Sequence, residues 1–171
     1  MREGLLVERS LQERLAHVAQ IGRVSWLGVR PEHDAPMQVV EVVRCIADHG
    51  VEGDVAARGR EGGKRQITLI QAEHLPVIAA LVGGAEVTAE RTRRNVVVSG
   101  INLIALVRLR FAIGEEVILV GTGACAPCAK MDGAIGDGAF QAMRGHGGIT
   151  ARIERGGAIR VGDSVRVLPA D

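Results

Sequence analysis

The sequence predicts a mainly β protein with a few short helices, whose strands form a closed or nearly closed barrel or a sandwich. Short runs rich in β-branched residues, such as "GRVSWLGV", "NVVVSGI" and "EEVILVG", recur along most of the chain. Glycine-rich turns, such as "HGVEGD" and "RGGAIRVGD", separate these runs. Because the strands do not alternate with long helices, a doubly wound parallel sheet is disfavoured.

Helices are predicted at the N-terminus and at the periphery of the β structure. Within residues 1–20, Val7, Leu11, Leu15 and Val18 share one helical stripe, which predicts an amphipathic helix packed on the body of the protein. The segments "QAEHLPVIAALVGG" and "DGAFQAMRG" predict two further short helices. A chain of 171 residues is typical of one domain, so we expect a single domain over residues 21–171.

Composition argues against several classes of partner. The net charge is +1 and aromatic residues make up 2%, so the chain lacks both the basic field and the stacking rings of a nucleic-acid-binding protein. The apolar run "LIALV" is too short to span a bilayer, so we expect no membrane partner. Three cysteines cannot all pair within one chain, and no signal peptide is evident. We therefore expect free thiols and a cytoplasmic location.

Arginine dominates the basic residues, with 19 Arg against 2 Lys. The planar guanidinium suits carboxylate or phosphate, which mildly favours an anionic ligand. A GC-rich genome would give the same bias, and we rank that explanation first.

The stretch "TGACAPCAKM" places Cys125 and Cys128 in a C-x-P-C spacing. A thioredoxin-like dithiol is disfavoured, because "AKMDGAIGDG" is too rich in glycine for the helix that should follow. A structural zinc site is weaker still, because no second such pair exists. Two buried, inert thiols are a further interpretation, and it suits Cys45 best, since Cys45 lies within the strand-like run "VVRCIA".

The remaining interpretation is a working thiolate at Cys128. Cys128 follows Pro127 in a Gly/Pro loop. Lys130, Arg144 and His146 lie in the same connection and provide nearby positive charge that favours the reactive form. Cys125 is then either a resolving thiol for an oxidised or persulfidated Cys128 or only a spacer.

Other candidate residues lie at strand entrances and in the glycine-rich connection that follows Cys128. In "ERTRRNVVVSGINL", Arg94 and Asn95 precede a strand and form a plausible clamp for phosphate or carboxylate. Arg65 holds a similar position before "QITLI". His146, between glycines in "RGHGGI", is a candidate proton carrier or polar ligand contact.

Several segments, taken together and in order, resemble the MOSC family, named after the C-terminal domain of molybdenum-cofactor sulfurases. The matching pieces are "GVEGD", "RQITLI", "RTRRNVVVSGINL", "FAIGEEVILVGTGACAPCAKM", "RGHGGITARI" and "GGAIRVGDSV". This resemblance implies a barrel-like MOSC fold in which Cys128 is the functional thiol. It implies that Cys128 either carries sulfane sulfur as a persulfide or ligates molybdenum in a bound pterin cofactor.

The resemblance also implies a cofactor and partners. We assign cofactor binding to the following residues: Arg94, Asn95, His146, Lys130 and Arg65. The expected cofactor is the molybdenum cofactor, and the expected partners are a cysteine desulfurase or other sulfur donor and a molybdenum or metal–sulfur acceptor. No pyridoxal-phosphate motif is present, so we expect no covalently bound pyridoxal phosphate and no complete desulfurase activity. Whether the chain forms a homo-oligomer is left open.

Three functions therefore stand as hypotheses after the sequence alone. The first is a sulfur carrier or molybdenum-cofactor-binding protein that acts through Cys128. The second is a molybdenum-dependent reductase of N-hydroxylated compounds. The third is a module that binds a pterin or a protein without chemistry.

Overall fold

The structure is a computed structural model that describes residues 9–84 and 86–170. The strands of this part of the chain are β1 (Gly22–Val29), β2 (Gln38–Val40), β3 (Val42–Ile46), β4 (Gly50–Val51), β5 (Ile67–Gln71), β6 (Val96–Ser99), β7 (Arg110–Ile113), β8 (Val117–Ala124), β9 (Ile149–Arg155), β10 (Gly157–Arg160) and β11 (Ser164–Val167). The helices are α1 (Leu11–Ala16), α2 (His74–Leu81), α3 (Ala89–Thr92), α4 (Met131–Ile135) and α5 (Ala139–Ala142). Two 3₁₀ turns cover Val55–Arg58 and Leu103–Leu106.

Seven strands close into a barrel, so the predicted mainly β, barrel-like fold is confirmed. The neighbours run β11-β7-β8-β9-β5-β6-β1, and the pairing of β1 with β11 closes the ring. Only the β5–β6 pair is parallel among these described strands, and the other pairs are antiparallel. Strand β2 extends the ring at β1, while β10, β3 and β4 form a separate small sheet.

The parallel pair is buried on both faces, which explains why its sequence does not alternate. Leu69 and Val96 belong to the core inside the barrel. Their neighbours Ile70 and Val97 belong to a second cluster that includes Ile78 of α2 and other residues of α2, α4 and α5. Strands covered on both sides read as continuous apolar runs rather than alternating ones. The outer helices therefore pack on this side of the barrel.

Three predicted segments differ in detail from the structure. The run "MQVVEVVRCIA" divides into β2 and β3, which join different sheets. The predicted turn "RGGAIRVGD" contains β10, because Gly157–Arg160 pairs with β3, which is distant in sequence. The expected absence of a helix after the cysteine pair was wrong, since the short α4 begins at Met131. Five residues suffice for one helical turn despite the glycine within it.

The N-terminal helix is shorter and more exposed than its stripe predicts. Leu11 is 72% exposed and Leu15 is 66% exposed, while the partly buried Val18 packs against the barrel core. Val7 lies outside the described residues. The division at residues 20 and 21 stays a prediction, although β1 begins close to it at Gly22.

Candidate functional site

The candidate thiol lies on a loop that follows the long strand β8. The backbone N–H of Cys125, the first residue after β8, donates to the carbonyl of Gly148 at 2.8 Å. Cys125 and Cys128 are both free, but Cys125 is buried and Cys128 is exposed. The loop therefore presents Cys128 to solvent and keeps Cys125 within the protein.

The third cysteine differs from both. Cys45 is buried in β3, as predicted from its position in an apolar run. Burial raises the pKa of the Cys45 thiol to about 12. Cys45 therefore stays protonated at neutral pH and does not act as a nucleophile in the folded protein. The candidate reactive thiols are those of the loop, Cys125 and Cys128.

Arg94 ties the cysteine loop to the glycine-rich segment before β9. Its Nε donates to the Gly147 carbonyl at 2.8 Å, and its Nη2 donates to the Cys125 carbonyl at 3.4 Å. Its Nη1 donates to the Thr92 carbonyl at 2.9 Å. Arg94 is only 2% exposed, and no carboxylate of the described residues forms an ion pair with it. It is a buried cation held by carbonyl dipoles.

The charge of Arg94 gives the site its electrostatic character. Burial is the main cause that lowers the pKa of the Arg94 guanidinium, while charge on Cys125 and, to a smaller extent, on Cys128 raises it. The group still stays protonated at neutral pH, because the ordinary pKa of arginine is so high. A fixed positive charge without a carboxylate favours an anion beside it, whether a ligand group or an ionised thiol.

Asn95 makes its hydrogen bonds to protein groups. Its Oδ1 accepts from the backbone N–H of Thr68 at 3.1 Å and from the Thr68 hydroxyl at 3.0 Å. Its Nδ2 donates to the Gly28 carbonyl at 3.3 Å and to Oδ2 of the buried Asp54 at 2.8 Å. Asn95 thereby joins β1, β5 and the turn after β4, and it fixes the entry of β6 directly after Arg94.

A cavity of about 270 Å³ opens beside the cysteine loop. Its wall on one side is the backbone from Ala124 to Pro127, and on the other side it is formed by Arg144 and the glycines that follow. The exposed side chain of Ile104 completes the rim. Cys128 is the next residue after Pro127 but is not itself part of the wall.

Gly145, Gly147 and Gly148 of the cavity lining form what we call the glycine wall. At Gly147 and Gly148 the close packing of the backbone leaves no room for a side chain. A Cβ at Gly147 would lie 2.6 Å from the Cys125 carbonyl oxygen. Gly148 has φ +85° and approaches the Leu69 carbonyl so closely that any side chain would overlap it. The glycine-rich connection therefore serves the packing of the cysteine loop against β5 and β9.

The other predicted site residues have different surroundings. Lys130 is exposed and forms an ion pair with Asp34. Arg65 is exposed and forms no hydrogen bond or ion pair with the described residues, yet its charge acts on Arg94. His146 is half-buried, with Nδ1 at 3.0 Å from the Ala142 carbonyl, and its ring meets that of His74 edge to face at 5.2 Å between centroids.

Three residues near the site have roles that the sequence did not specify. Arg144 was predicted only as positive charge near Cys128, and the structure places it on the cavity wall. Asp54 follows a glycine, as turn residues often do, and it caps the 3₁₀ turn that follows, but it also accepts from Asn95. His74 carries no signal of its own in the sequence, and its Nδ1 is buried without a hydrogen-bond partner among the described residues.

No group of three or more His, Cys, Asp or Glu side chains within residues 9–84 and 86–170 is arranged to hold a metal ion. A metal at Cys128 would therefore need most of its ligands from a cofactor. No helix in the same part of the chain is long and apolar enough to cross a membrane.

The model of the MOSC domain matches residues 49–166, which is more than half of the chain. The chain belongs to the MOSC domain family. The match contains the Arg94–Asn95 pair, the cysteine loop and the glycine wall, and it stops just before the end of the last barrel strand. Strand β1 lies before the matched region, although it closes the barrel.

Solved structures show the same MOSC-type fold at low sequence identity. The YuaD protein from Bacillus subtilis has a TM-score of 0.73 at 20% identity, covering 91% of this chain and 100% of that chain. YiiM from Escherichia coli has a TM-score of 0.64 at 18% identity, covering 87% of this chain and 71% of that chain. YiiM from Geobacillus stearothermophilus has a TM-score of 0.67 at 16% identity, covering 86% and 75% respectively. A comparison with curated proteins gave no match.

Proposed function

We propose that this MOSC domain binds the molybdenum cofactor and that the Cys128 thiolate is its working group. The observation that carries the proposal is an exposed thiol on a loop whose backbone is held by a buried, unneutralised guanidinium. Burying a cation without a carboxylate costs several kcal/mol, against which Arg94 gains its hydrogen bonds to three carbonyls. An anionic ligand or thiolate at the loop offsets part of that cost.

The residues present suit this cofactor in three respects. A thiolate is a soft ligand of the kind that molybdenum accepts, and Cys128 is the exposed one of the three cysteines. Arg65 and Arg144 are exposed and form no ion pair with the described residues, so they are available to a phosphate group. The cavity between Pro127 and the glycine wall is lined by no carboxylate.

In this proposal the predicted cofactor-binding residues divide into two groups. Cys128 would ligate the metal, Arg65 would contact the organic part, and Lys130 would join it on separating from Asp34. His146 stays a predicted contact, although it does not line the cavity. Arg94 and Asn95 act from within the protein, because their polar atoms already bind protein groups. When bound, the cofactor supplies a redox-active metal centre, which reduction of an N-hydroxylated compound would require.

Metal analysis tests the proposal. The protein is produced in cells that make the molybdenum cofactor, purified, and analysed for molybdenum and for released pterin. We expect a near-stoichiometric content in the wild type, a large loss in Cys128→Ser, and no loss in Cys45→Ser, whose side chain is buried in the small sheet. Equal molybdenum and pterin in the wild type and in Cys128→Ser would refute the role of the thiolate.

A sulfur carrier is the second candidate, and the exposure of Cys128 favours it. A thiol that must meet a donor protein and then an acceptor has to lie at the surface, and Cys128 does. In the transfer step the Cys128 thiolate attacks the outer sulfur of a donor persulfide. A new S–S bond forms at Cys128, the donor S–S bond breaks, and the donor leaves as a thiolate.

Mass spectrometry distinguishes the carrier from a cofactor-binding protein. After incubation with a cysteine desulfurase and cysteine, a carrier gains one sulfur atom on the peptide that contains Cys128. Sulfur on Cys45 alone, or on no cysteine, argues against the carrier. Cys125 acts as a resolving thiol only if the sulfur-loaded protein then forms an internal disulfide that Cys125→Ser abolishes.

A further inference from the structure

We infer that Arg65 and Arg144 select negatively charged reactants for Cys128. The inference rests on the proposed role of Cys128 and adds a substrate class to it: a molecule that reacts at the free Cys128 thiol is anionic. Arg144 is the one charged side chain among the described residues that line the cavity beside the cysteine loop. Its recorded side-chain partner is the neutral Gln141, at 3.1 Å.

Arg65 lies on a second segment that adjoins the end of β8. The hydroxyl of Thr122, near that end, donates to the carbonyl of Lys64 at 2.5 Å, which places the segment before β5 beside the strand that leads into the cysteine loop. The charge of Arg65 lowers the pKa of Arg94, so the two guanidinium groups lie within electrostatic range. Arg94 thus binds a carbonyl of the loop, Arg144 lines the cavity beside it, and Arg65 lies on the adjoining segment.

Acidic groups near the loop leave this positive field largely uncompensated. Asp34 is neutralised by Lys130, with which it forms an ion pair. Asp132 and Asp137 lie on the same connection as Arg144, but neither lines the cavity, and the Asp132 carboxylate accepts the Phe140 N–H at 2.8 Å. An anion that approaches the cavity is therefore attracted, and a neutral molecule of the same shape is not.

The test compares two aromatic disulfides that react with the same exposed thiol. Dithiobis-nitrobenzoate is a dianion, and dithiodipyridine is uncharged at pH 8. In each reaction the Cys128 thiolate attacks the disulfide, forms a mixed disulfide and releases one aromatic thiol, which is measured by absorbance. The ratio of the two second-order rates, anionic over neutral, cancels the intrinsic reactivity of the thiol.

The variants are Arg65→Glu with Arg144→Glu, and the milder Arg65→Gln with Arg144→Gln. The matched control is Arg44→Glu with Arg160→Glu, two exposed arginines on the small sheet formed by β3 and β10. At an ionic strength of about 10 mM we expect the rate ratio to fall roughly fivefold or more in the Glu variant, and by less in the Gln variant. We expect little change in the control, and at about 1 M salt the wild type should lose its preference for the anion.

An unchanged ratio in both site variants, or an equal fall in the control, would overturn the inference. Thermal unfolding of each variant shows that it is folded, and the Gln variant provides the test if the Glu variant is not. The assay uses protein from cells that do not make the molybdenum cofactor, in which Cys128 is free to react, so it separates the two proposals. A preference for the anion without molybdenum binding would refute only the proposed function. Molybdenum binding without that preference would refute only this inference.

Discussion

Replacing Arg94 by methionine should destabilise the protein and expose a second thiol. Methionine fills most of the buried volume but donates to none of the three carbonyls that Arg94 now binds. The bonds to Gly147 and Thr92 are short, at 2.8 and 2.9 Å, whereas the bond to Cys125 is at the distance limit, at 3.4 Å. Two charge-assisted hydrogen bonds contribute about 3–6 kcal/mol in total.

Removing the buried charge offsets much of that loss. Transferring a guanidinium from water into the protein interior costs several kcal/mol even after relaxation. Arg94 forms no ion pair with a carboxylate of the described residues that would offset this cost. We therefore expect a net fall of about 2 kcal/mol in the free energy of unfolding. For a chain of this length that corresponds to a melting temperature lower by about 4–8 °C.

The change at the thiols is more diagnostic than the change in stability. In the wild type only Cys128 should react rapidly at pH 8, because Cys125 and Cys45 are buried. Without Arg94 the loop and the Gly147 segment lose their shared anchor, so Cys125 should become reactive as well. Counting fast-reacting thiols by absorbance should therefore give one per chain in the wild type and two in Arg94→Met.

Arg94→Lys separates the geometry of Arg94 from its charge. Lysine keeps the positive charge, but a single ammonium cannot span carbonyls on three segments as the planar guanidinium does. We expect two fast thiols here too. If Arg94→Met and Arg94→Lys both keep one fast thiol and the wild-type melting temperature, Arg94 does not hold the loop and the reasoning is refuted.

Three other predictions concern the wall, the network and the pH dependence. Gly147→Ala should open the cysteine loop and add a second fast-reacting thiol, because the new Cβ would lie 2.6 Å from the Cys125 carbonyl oxygen. In the control Gly123→Ala the new Cβ has no described neighbour nearer than 4.0 Å, so this variant should keep one fast-reacting thiol. Equal thiol counts in the two variants would contradict this prediction. Asp54→Ala leaves two backbone N–H groups without an acceptor and removes the shorter of the two hydrogen bonds that Asn95 Nδ2 donates. The urea midpoint should therefore correspond to a loss of about 3 kcal/mol, and an unchanged midpoint would count against the network. Burial, and then the charge of His146, lower the pKa of His74 in the folded protein. The unfolded chain therefore takes up a proton at His74 first as the pH falls below the ordinary histidine pKa near 6.5. The free energy of unfolding should be highest above that pH and should decline below it. Urea midpoints between pH 7.5 and 5.5 should show this decline, and it should be smaller in His74→Gln.

The fold was predictable because the local signals and the long-range pairing agree. Short apolar runs between glycine turns identify most of the barrel strands, and the long connection after β8 identifies the site. Strand β10 escaped prediction because its identity depends on pairing with β3, more than a hundred residues earlier. The exposure of Leu11 and Leu15 was equally hidden, since a helical stripe shows which residues share a face but not what covers it.

The site was predictable in its thiol and less so in its surroundings. The Gly/Pro loop indicated that Cys128 is exposed, and the structure agrees. The sequence could not show that Lys130 pairs with Asp34, because 96 residues separate them. Nor could it show that Arg144 lines the cavity instead of His146, since both lie on the same glycine-rich connection and only the fold of that connection distinguishes them.

The three arginines before β6 show how one backbone turn decides the role of a side chain. Arg91 ends on the surface of α3, with its Nη1 donating to the Glu86 carbonyl at 3.2 Å. Arg93 adopts the left-handed conformation with φ 58°, which ends the helix and directs its side chain to the His33 carbonyl at 2.8 Å. The chain then enters β6 with Arg94 facing inward, where it donates to the carbonyls of Thr92, Gly147 and Cys125.

The left-handed turn at Arg93 places the charged Arg94 guanidinium against the loop that carries Cys128. Carbonyl dipoles hold the guanidinium in position while leaving its net charge available to an anion at the loop. The positive field at Cys128 therefore follows from the left-handed turn at Arg93. A substitution there that straightens the turn, such as Arg93→Val, should reduce the rate at which Cys128 reacts with an anionic disulfide, whereas Arg93→Gly, which adopts the turn freely, should preserve it.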